Sequence, residues 1–478
     1  MSKFYITTAI DYVNSSPHLG HALEKVQADA VARHQRILLG DNNVYFLTGT
    51  DEHGIKIVRS AKMAGKDVKN FADDNVKIFK KLSEKLNISN NDFIRTSDEK
   101  RHWPGAQALW KKLVEAGDIY MGTYKGYYCV GCEAYVMERD LVDGKCSDHN
   151  QEPELIEEEN YFFKLSKYAD KIKNKIESSE LKILPENKKN EVLAMIEKGI
   201  EDISFSRPAE KLKNWGVPVP NNESQLMYVW CDALANYIST LGYSSGDDNN
   251  FKKFWPADLH VIGKDILRFH AIIWPAMLLS AGLELPKTLF VHGHILSGGK
   301  KMSKTLGNVI DPFDLINEYG ADAVRYYLSR EITAFDDSDI TLEKFKEAYN
   351  ANLANGLGNL VSRIMKMSEQ HLQSQISNLK SQKLPEDYRK FMENFELNKA
   401  MDFIWDKIGA LDLKIQKTQP FKLIKTDEKK AKEILTELVE GLHNIAEMLK
   451  PFLPQTSEKI LHSIETNKMP TPLFLRKI

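Results

Sequence analysis

Three groups of residues are of the types and spacing that do chemistry. The first is Cys129-x2-Cys132-x13-Cys146-x2-His149. Three thiolates and an imidazole, as two close pairs joined by a loop, make the tetrahedral donor set that zinc prefers, and four protein ligands leave no open position. The expectation is one structural zinc per chain. The second group is His18-Leu19-Gly20-His21, placed between an apolar, β-branched stretch (Phe4–Ala9) and a run with apolar residues at helical spacing up to Gly40. Two imidazoles at a strand-to-helix turn join unpaired N–H groups and the positive end of the helix dipole, a setting that binds phosphate. The third is Gly298-Gly299-Lys300-Lys301-Met302-Ser303-Lys304-Thr305. Two glycines give a mobile loop, and Lys300, Lys301 and Lys304 would close it over a triphosphate and stabilise a leaving pyrophosphate. A solvated basic loop is the plainer reading.

These groups need elements to hold them. Val44–Thr48 is a second buried strand ending at Gly49-Thr50-Asp51-Glu52-His53-Gly54. With the first strand and helix it forms a βαβ unit, hence a parallel sheet with ligands beyond the carboxyl ends of its strands. Asp51 lies at that edge, as a helix cap or as a contact for a substrate ammonium. Residues 55–116 read as helices. Residues 150–225 read as an insertion, with a helix over 188–201 and an edge strand or loop at Trp215–Pro220. Parallel-sheet texture returns at Met227–Tyr237, Leu259–Asp265 and Thr288–His292; a helix carrying Ile266, His270, Ile273 and Trp274 follows the second of these. From about residue 345 the chain reads as amphipathic helices. The lysine loop is not a Walker loop, and no G-x-G-x-x-G follows the first strand, which disfavours a dinucleotide dehydrogenase.

Composition sets outer limits. The 478 residues are 42% hydrophobic and 28% charged, with net charge −2: an ordinary globular chain too long for one core, and not a generally basic nucleic-acid binder. Residues 346–478 hold 21 Lys and Arg against 17 Asp and Glu, a difference of +4. No signal segment or membrane-length apolar run occurs, and four cysteines, three of them with a histidine, suit a reducing, cytoplasmic compartment.

His18-Leu19-Gly20-His21 and Lys301-Met302-Ser303-Lys304-Thr305, in this order and split by the cysteine knuckle, resemble the two signatures of class I aminoacyl-tRNA synthetases, and within them the methionyl-tRNA synthetase family. The resemblance runs from Phe4 to about Phe421. It implies an α/β, Rossmann-like parallel-sheet catalytic domain with a zinc-knuckle insertion, followed by an all-α helical-bundle anticodon-binding domain. The expected division is 1–116 and 226–290 for the two catalytic halves, 117–225 for the insertion, 291–345 for the lysine loop and stem-contact region, and 346–478 for the helical domain. It implies that His18, His21, Lys301 and Lys304 are catalytic. Gly20, Gly263, Asp265 and Arg207 would bind ATP. Ile10, Tyr12, Trp230, Ala233, Tyr237, Ile266 and His270 would line a methionine side-chain pocket, with Asp51 on the ammonium. His270 and the Tyr12 hydroxyl would offer polar contacts to the sulfur. Asn359 and Arg363 would read the anticodon, and Phe421, where the family usually has Trp, would stack on a base or be a core residue.

The implied reaction converts L-methionine and ATP to methionyl-adenylate and pyrophosphate, then transfers methionine to the 3′ end of tRNA(Met), with Mg²⁺ accompanying ATP. No membrane partner is expected, and a monomer is. The alternatives are a class I synthetase for another amino acid and a non-catalytic, zinc-stabilised RNA-binding protein.

Overall fold

The computed structural model describes residues 2–131, 134–136, 141–147, 150–302, 308–372 and 383–478. The chain forms two compact units. One comprises Met1–Pro17, Leu39–Lys81 and Asn90–His292; the other comprises His18–Leu38, Leu82–Ser89 and Gly293–Ile478.

The first unit is built on a seven-stranded sheet, parallel throughout. Strand β1 (Phe4–Thr8) lies between Leu259–Gly263 and β3 (Val44–Asp51). Thr288–His292 and Lys182–Leu184 extend one edge. On the other side β2 (Asp11–Tyr12) and β4 (Asp92–Arg95) both pair with β3. Residues such as Tyr5, Leu47, Ile262, Leu289 and Val291 are fully enclosed, as expected where helices cover both faces of a parallel sheet. A Rossmann-like parallel-sheet domain is therefore present, followed in the other unit by helices.

Three expectations are corrected. Residues 55–116 are not helical throughout, because Asp92–Arg95 forms β4 between Val68–Lys85 and Trp103–Glu115. Lys182–Leu184, inside the expected insertion, is a strand of the main sheet. Met227–Tyr237 is not a strand of the parallel sheet: Asn222–Met227 is the central strand of a separate antiparallel sheet, and Val229–Leu234 and Asn236–Ser239 are short helices. A short, wholly buried apolar run has the same texture in either state, so periodicity could not separate them. Pro218–Val219 is an edge strand of that small sheet, as its prolines require.

In the second unit, Glu428–Leu449 buries Ile434, Leu435, Leu438, Leu442, Ile445 and Leu449 at helical spacing. With Asn359–His371, Leu397–Thr418 and Pro454–Thr466 it builds the helical core. The unit also contains α1 (Leu19–Leu39), which begins one residue after His18. Asp29 on α1 is fully buried against Arg325 at 2.7 Å, Arg33 at 2.7 Å and the Ser89 N–H at 2.7 Å. Burial pushes its carboxyl up; the two guanidiniums and Ser89 outweigh that and hold it below the usual carboxylate range. Arg325 spends its other donors on the carbonyls of Leu86, Pro451 and Phe452.

Candidate active site

The two histidines cap their own helix. The Gly20 N–H donates to His18 Nδ1 at 3.0 Å, and the His18 N–H donates to His21 Nδ1 at 3.0 Å. This is a reciprocal capping box made with imidazoles. Both Nδ1 atoms accept, so each ring carries its hydrogen on Nε2, where it can donate to an anion. The rings lie 4.0 Å apart. The sequence predicts unpaired N–H groups at this turn; two of them, those of His18 and Gly20, are taken by the rings. A Cβ on Gly20 would sit 2.8 Å from His18 Cε1, so Gly20 makes room for the folded-back His18 ring.

In the first unit, aromatic and imidazole groups pack together around His270. Trp230 stacks on Phe269 at 3.7 Å and meets His270 edge-on at 6.2 Å. Tyr237, buried, donates its hydroxyl hydrogen to His270 Nε2 at 2.8 Å, because His270 Nδ1–H is given to the Ile266 carbonyl at 3.0 Å. Burial pushes His270 down to about 4, so it is neutral at pH 7. Both of its nitrogens are thus engaged. Ala233 is buried and Ile10, Tyr12 and Ile266 are partly buried, packed against the same core. Phe269 was not foreseen; its place beside His270 was the available signal.

Asp51 ends β3 and is buried; its Oδ1 faces the His53 N–H at 3.4 Å, and Gly54, not Asp51, precedes the next helix. Glu52 is fully buried, taking both Arg95 nitrogens at 2.8 and 2.6 Å, Thr50 Oγ1 at 2.7 Å and Ser97 Oγ at 2.6 Å. Its carbonyl accepts the Trp215 indole N–H. This clamp also escaped the sequence reading, which gave Glu52 no role. Arg207 is held by Ser204 Oγ at 2.9 Å and the Ser206 carbonyl at 2.7 Å, with its guanidinium 4.6 Å from the Tyr228 ring and 5.7 Å from the Tyr128 ring. Gly263 ends its strand opposite His292, and Asp265 is exposed in the turn after it.

The lysine segment begins as a hairpin. Ile295–Ser297 pairs with Lys300–Lys301 through Gly298 and Gly299, both at positive φ, the requirement of a tight type I′ turn. The Gly299 N–H donates to Asp339 Oδ1 at 2.8 Å. The two glycines form the turn of this hairpin. The Lys301 side chain and Lys304 lie outside the described residues.

Cys129 and Cys146 are buried at the ends of two hairpin strands, and neither is in a disulfide. Buried, unoxidised thiols at hairpin ends fit thiolate ligands; Cys132 and His149 lie outside the described residues. In the helical region Asn359 and Arg363 are one turn apart on Asn359–His371, and Arg363 pairs with Asp412, which also takes Gln416 at 2.6 Å. Phe421 is 48% exposed, so it is not a core residue.

A model for class I tRNA synthetases (M) matches residues 4–152 and 137–365, and one for the anticodon-binding domain of tRNA ligases matches 378–476. The fold and the motifs are those of a class I tRNA synthetase. The chain is 42% identical over 475 residues to the methionine--tRNA ligase of Brucella suis, covering 96% of this chain and 91% of that one. It is 44% identical over 473 residues to that of Clostridium acetobutylicum, covering 96% and 72%. The Mycobacterium tuberculosis methionyl-tRNA synthetase solved with methionyl-adenylate superposes with a TM-score of 0.92 at 36% identity, each chain covered in full. The chain belongs to the methionine--tRNA ligase family.

Proposed function

We propose that the chain charges tRNA(Met) with methionine in two steps. In the first, a methionine carboxylate oxygen attacks the α-phosphorus of ATP in line; the bond to the β-phosphate bridge breaks, giving methionyl-adenylate and pyrophosphate. In the second, a terminal ribose hydroxyl of the tRNA attacks the adenylate carbonyl and AMP leaves. The observation that carries this reading is identity above 40% with methionine--tRNA ligases over nearly the whole chain.

The residues present suit the roles assigned to them. The Nε2–H groups of His18 and His21 donate to phosphate oxygens, and Lys301 and Lys304 stabilise charge on the departing pyrophosphate. Trp230, Phe269, Tyr237 and His270 offer rings to a polarizable thioether, with Ile10, Tyr12, Ala233 and Ile266 completing the pocket. Asp51 takes the ammonium. Gly20, Gly263, Asp265 and Arg207 serve ATP. Mg²⁺ brought with ATP would neutralise phosphate charge. Asn359, Arg363 and the exposed Phe421 serve the anticodon. Cys129, Cys132, Cys146 and His149 would hold a structural zinc, so metal analysis should return about one zinc per chain, and chelation should unfold the knuckle; a metal-free folded sample would remove that assignment. The chain acts as a monomer in the cytoplasm, which sedimentation of the full chain and fractionation of cells would check.

Pyrophosphate–ATP exchange with each of the twenty amino acids, without tRNA, tests the proposal. Exchange with methionine alone is expected. Exchange with another amino acid would keep the mechanism and overturn the pocket; none with any, in a folded sample, would point to a binding protein.

A further inference from the structure

A carboxylate outside the assigned pocket ties two of its walls together. Asp232 is fully buried, and each of its oxygens meets an imidazole: Oδ2 faces His53 Nδ1 at 2.6 Å, and Oδ1 faces His102 Nε2 at 2.7 Å. His102 Nδ1 lies 2.8 Å from Ser239 Oγ. Both histidines are buried. A carboxylate only accepts, so His53 donates from Nδ1 and His102 from Nε2, and neither ring can rotate without losing a bond. Burial pushes the Asp232 carboxyl up; the two imidazoles outweigh that and hold it below the usual range.

The placement of these groups gives the bridge its meaning. His53 is two residues beyond Asp51, and its N–H faces the Asp51 carboxylate. Asp232 stands between Trp230 and Ala233 on Val229–Leu234. His102 immediately precedes Trp103–Glu115. One carboxylate therefore fixes a strand end, a helix start and the pocket helix. Buried ionic groups are weak devices for stability, since apolar replacements of similar shape often do as well. A positional role accounts for this one.

We infer that Asp232 is a positioning residue for methionine: through His53 it fixes the strand end bearing Asp51, and through its own helix it fixes Trp230 and Ala233, holding the ammonium and side-chain contacts in one register. This rests on the methionine reading of the pocket.

The test uses the full chain in pyrophosphate–ATP exchange. Asp232→Asn and His53→Leu should raise KM for methionine tenfold or more, with KM for ATP and kcat within twofold. His53→Asn, which keeps a donor at the position of Nδ1, should stay within threefold of wild type. Methionine and ATP KM values that rise together, no change in either, or an Asn variant no better than Leu would overturn the inference. Lack of exchange with methionine by the wild-type chain would instead overturn the reading beneath it, and the inference with it. Should the variants not fold, ¹⁵N-histidine-labelled wild-type chain decides: two protected imidazole N–H signals that shift on adding methionine alone are expected, and signals indifferent to methionine overturn the inference.

Discussion

Gly20 shows how much of the site depends on single atoms. Its missing Cβ is the space that the His18 ring occupies, and that ring accepts the Gly20 N–H. Gly20→Ala therefore moves His18 rather than the helix. Loss of one such preorganised donor lowers turnover by roughly 10²–10³-fold; pyrophosphate–ATP exchange should fall on this scale while the urea midpoint stays nearly constant. An exchange rate within twofold of wild type would show that the capped geometry does not matter. The types of these residues were legible in the sequence, as was their place at a strand-to-helix turn. Their tautomers were not, because which ring nitrogen accepts depends on χ angles and on N–H groups up to three residues away. Glu52, His53 and Asp232 escape a sequence reading for a related reason: their charged or imidazole partners Arg95, Asp232 and His102 stand 43 to 179 residues away in the chain, and no local pattern announces such pairs.

At the scale of elements, local signals succeeded where period and length agreed. β1, β3, Leu259–Gly263 and Thr288–His292 fall where β-branched runs placed them. They failed for β4 and Lys182–Leu184, strands of four and three residues that are too short to show alternation and are defined by their neighbours in the sheet. Asn359–His371 illustrates what an element does for a side chain. Its Arg363 is braced by Asp412 on Leu397–Thr418. Asp412→Ala should release that guanidinium, raising KM for tRNA several-fold in aminoacylation. Exchange without tRNA should be unchanged, and a fall in exchange would show that the brace reaches beyond tRNA recognition.

For the whole molecule, buried imidazoles set an acid limit. Burial pushes His34 and His270 down to about 4 and His260 well below its ordinary value. Among the described residues neither ring nitrogen of His34 has a hydrogen-bond partner. These groups are neutral when folded and gain protons on unfolding, so stability is full above pH 6.5 and falls as pH drops from there toward 4. His34 and His270 would each forfeit up to about 3 kcal/mol over that window. The urea midpoint should be lower at pH 5 than at pH 7.5, and less so in His34→Phe; equal midpoints for wild type at both pH values would contradict this. Arg325→Met should cost about 3–5 kcal/mol, because it breaks a fully buried ion pair, leaving Asp29 only Arg33 and Ser89; a urea midpoint equal to wild type would refute it. That ion pair has a further consequence. The helix that follows the signature histidines is built into the unit formed largely by Gly293–Ile478. A gene shortened to end before residue 293 would still encode both histidines, but on a helix stripped of the arginine it packs around. The activating half of this enzyme cannot be harvested as an N-terminal fragment, and any split into two complementing pieces must leave Asp29 and Arg325 able to find each other.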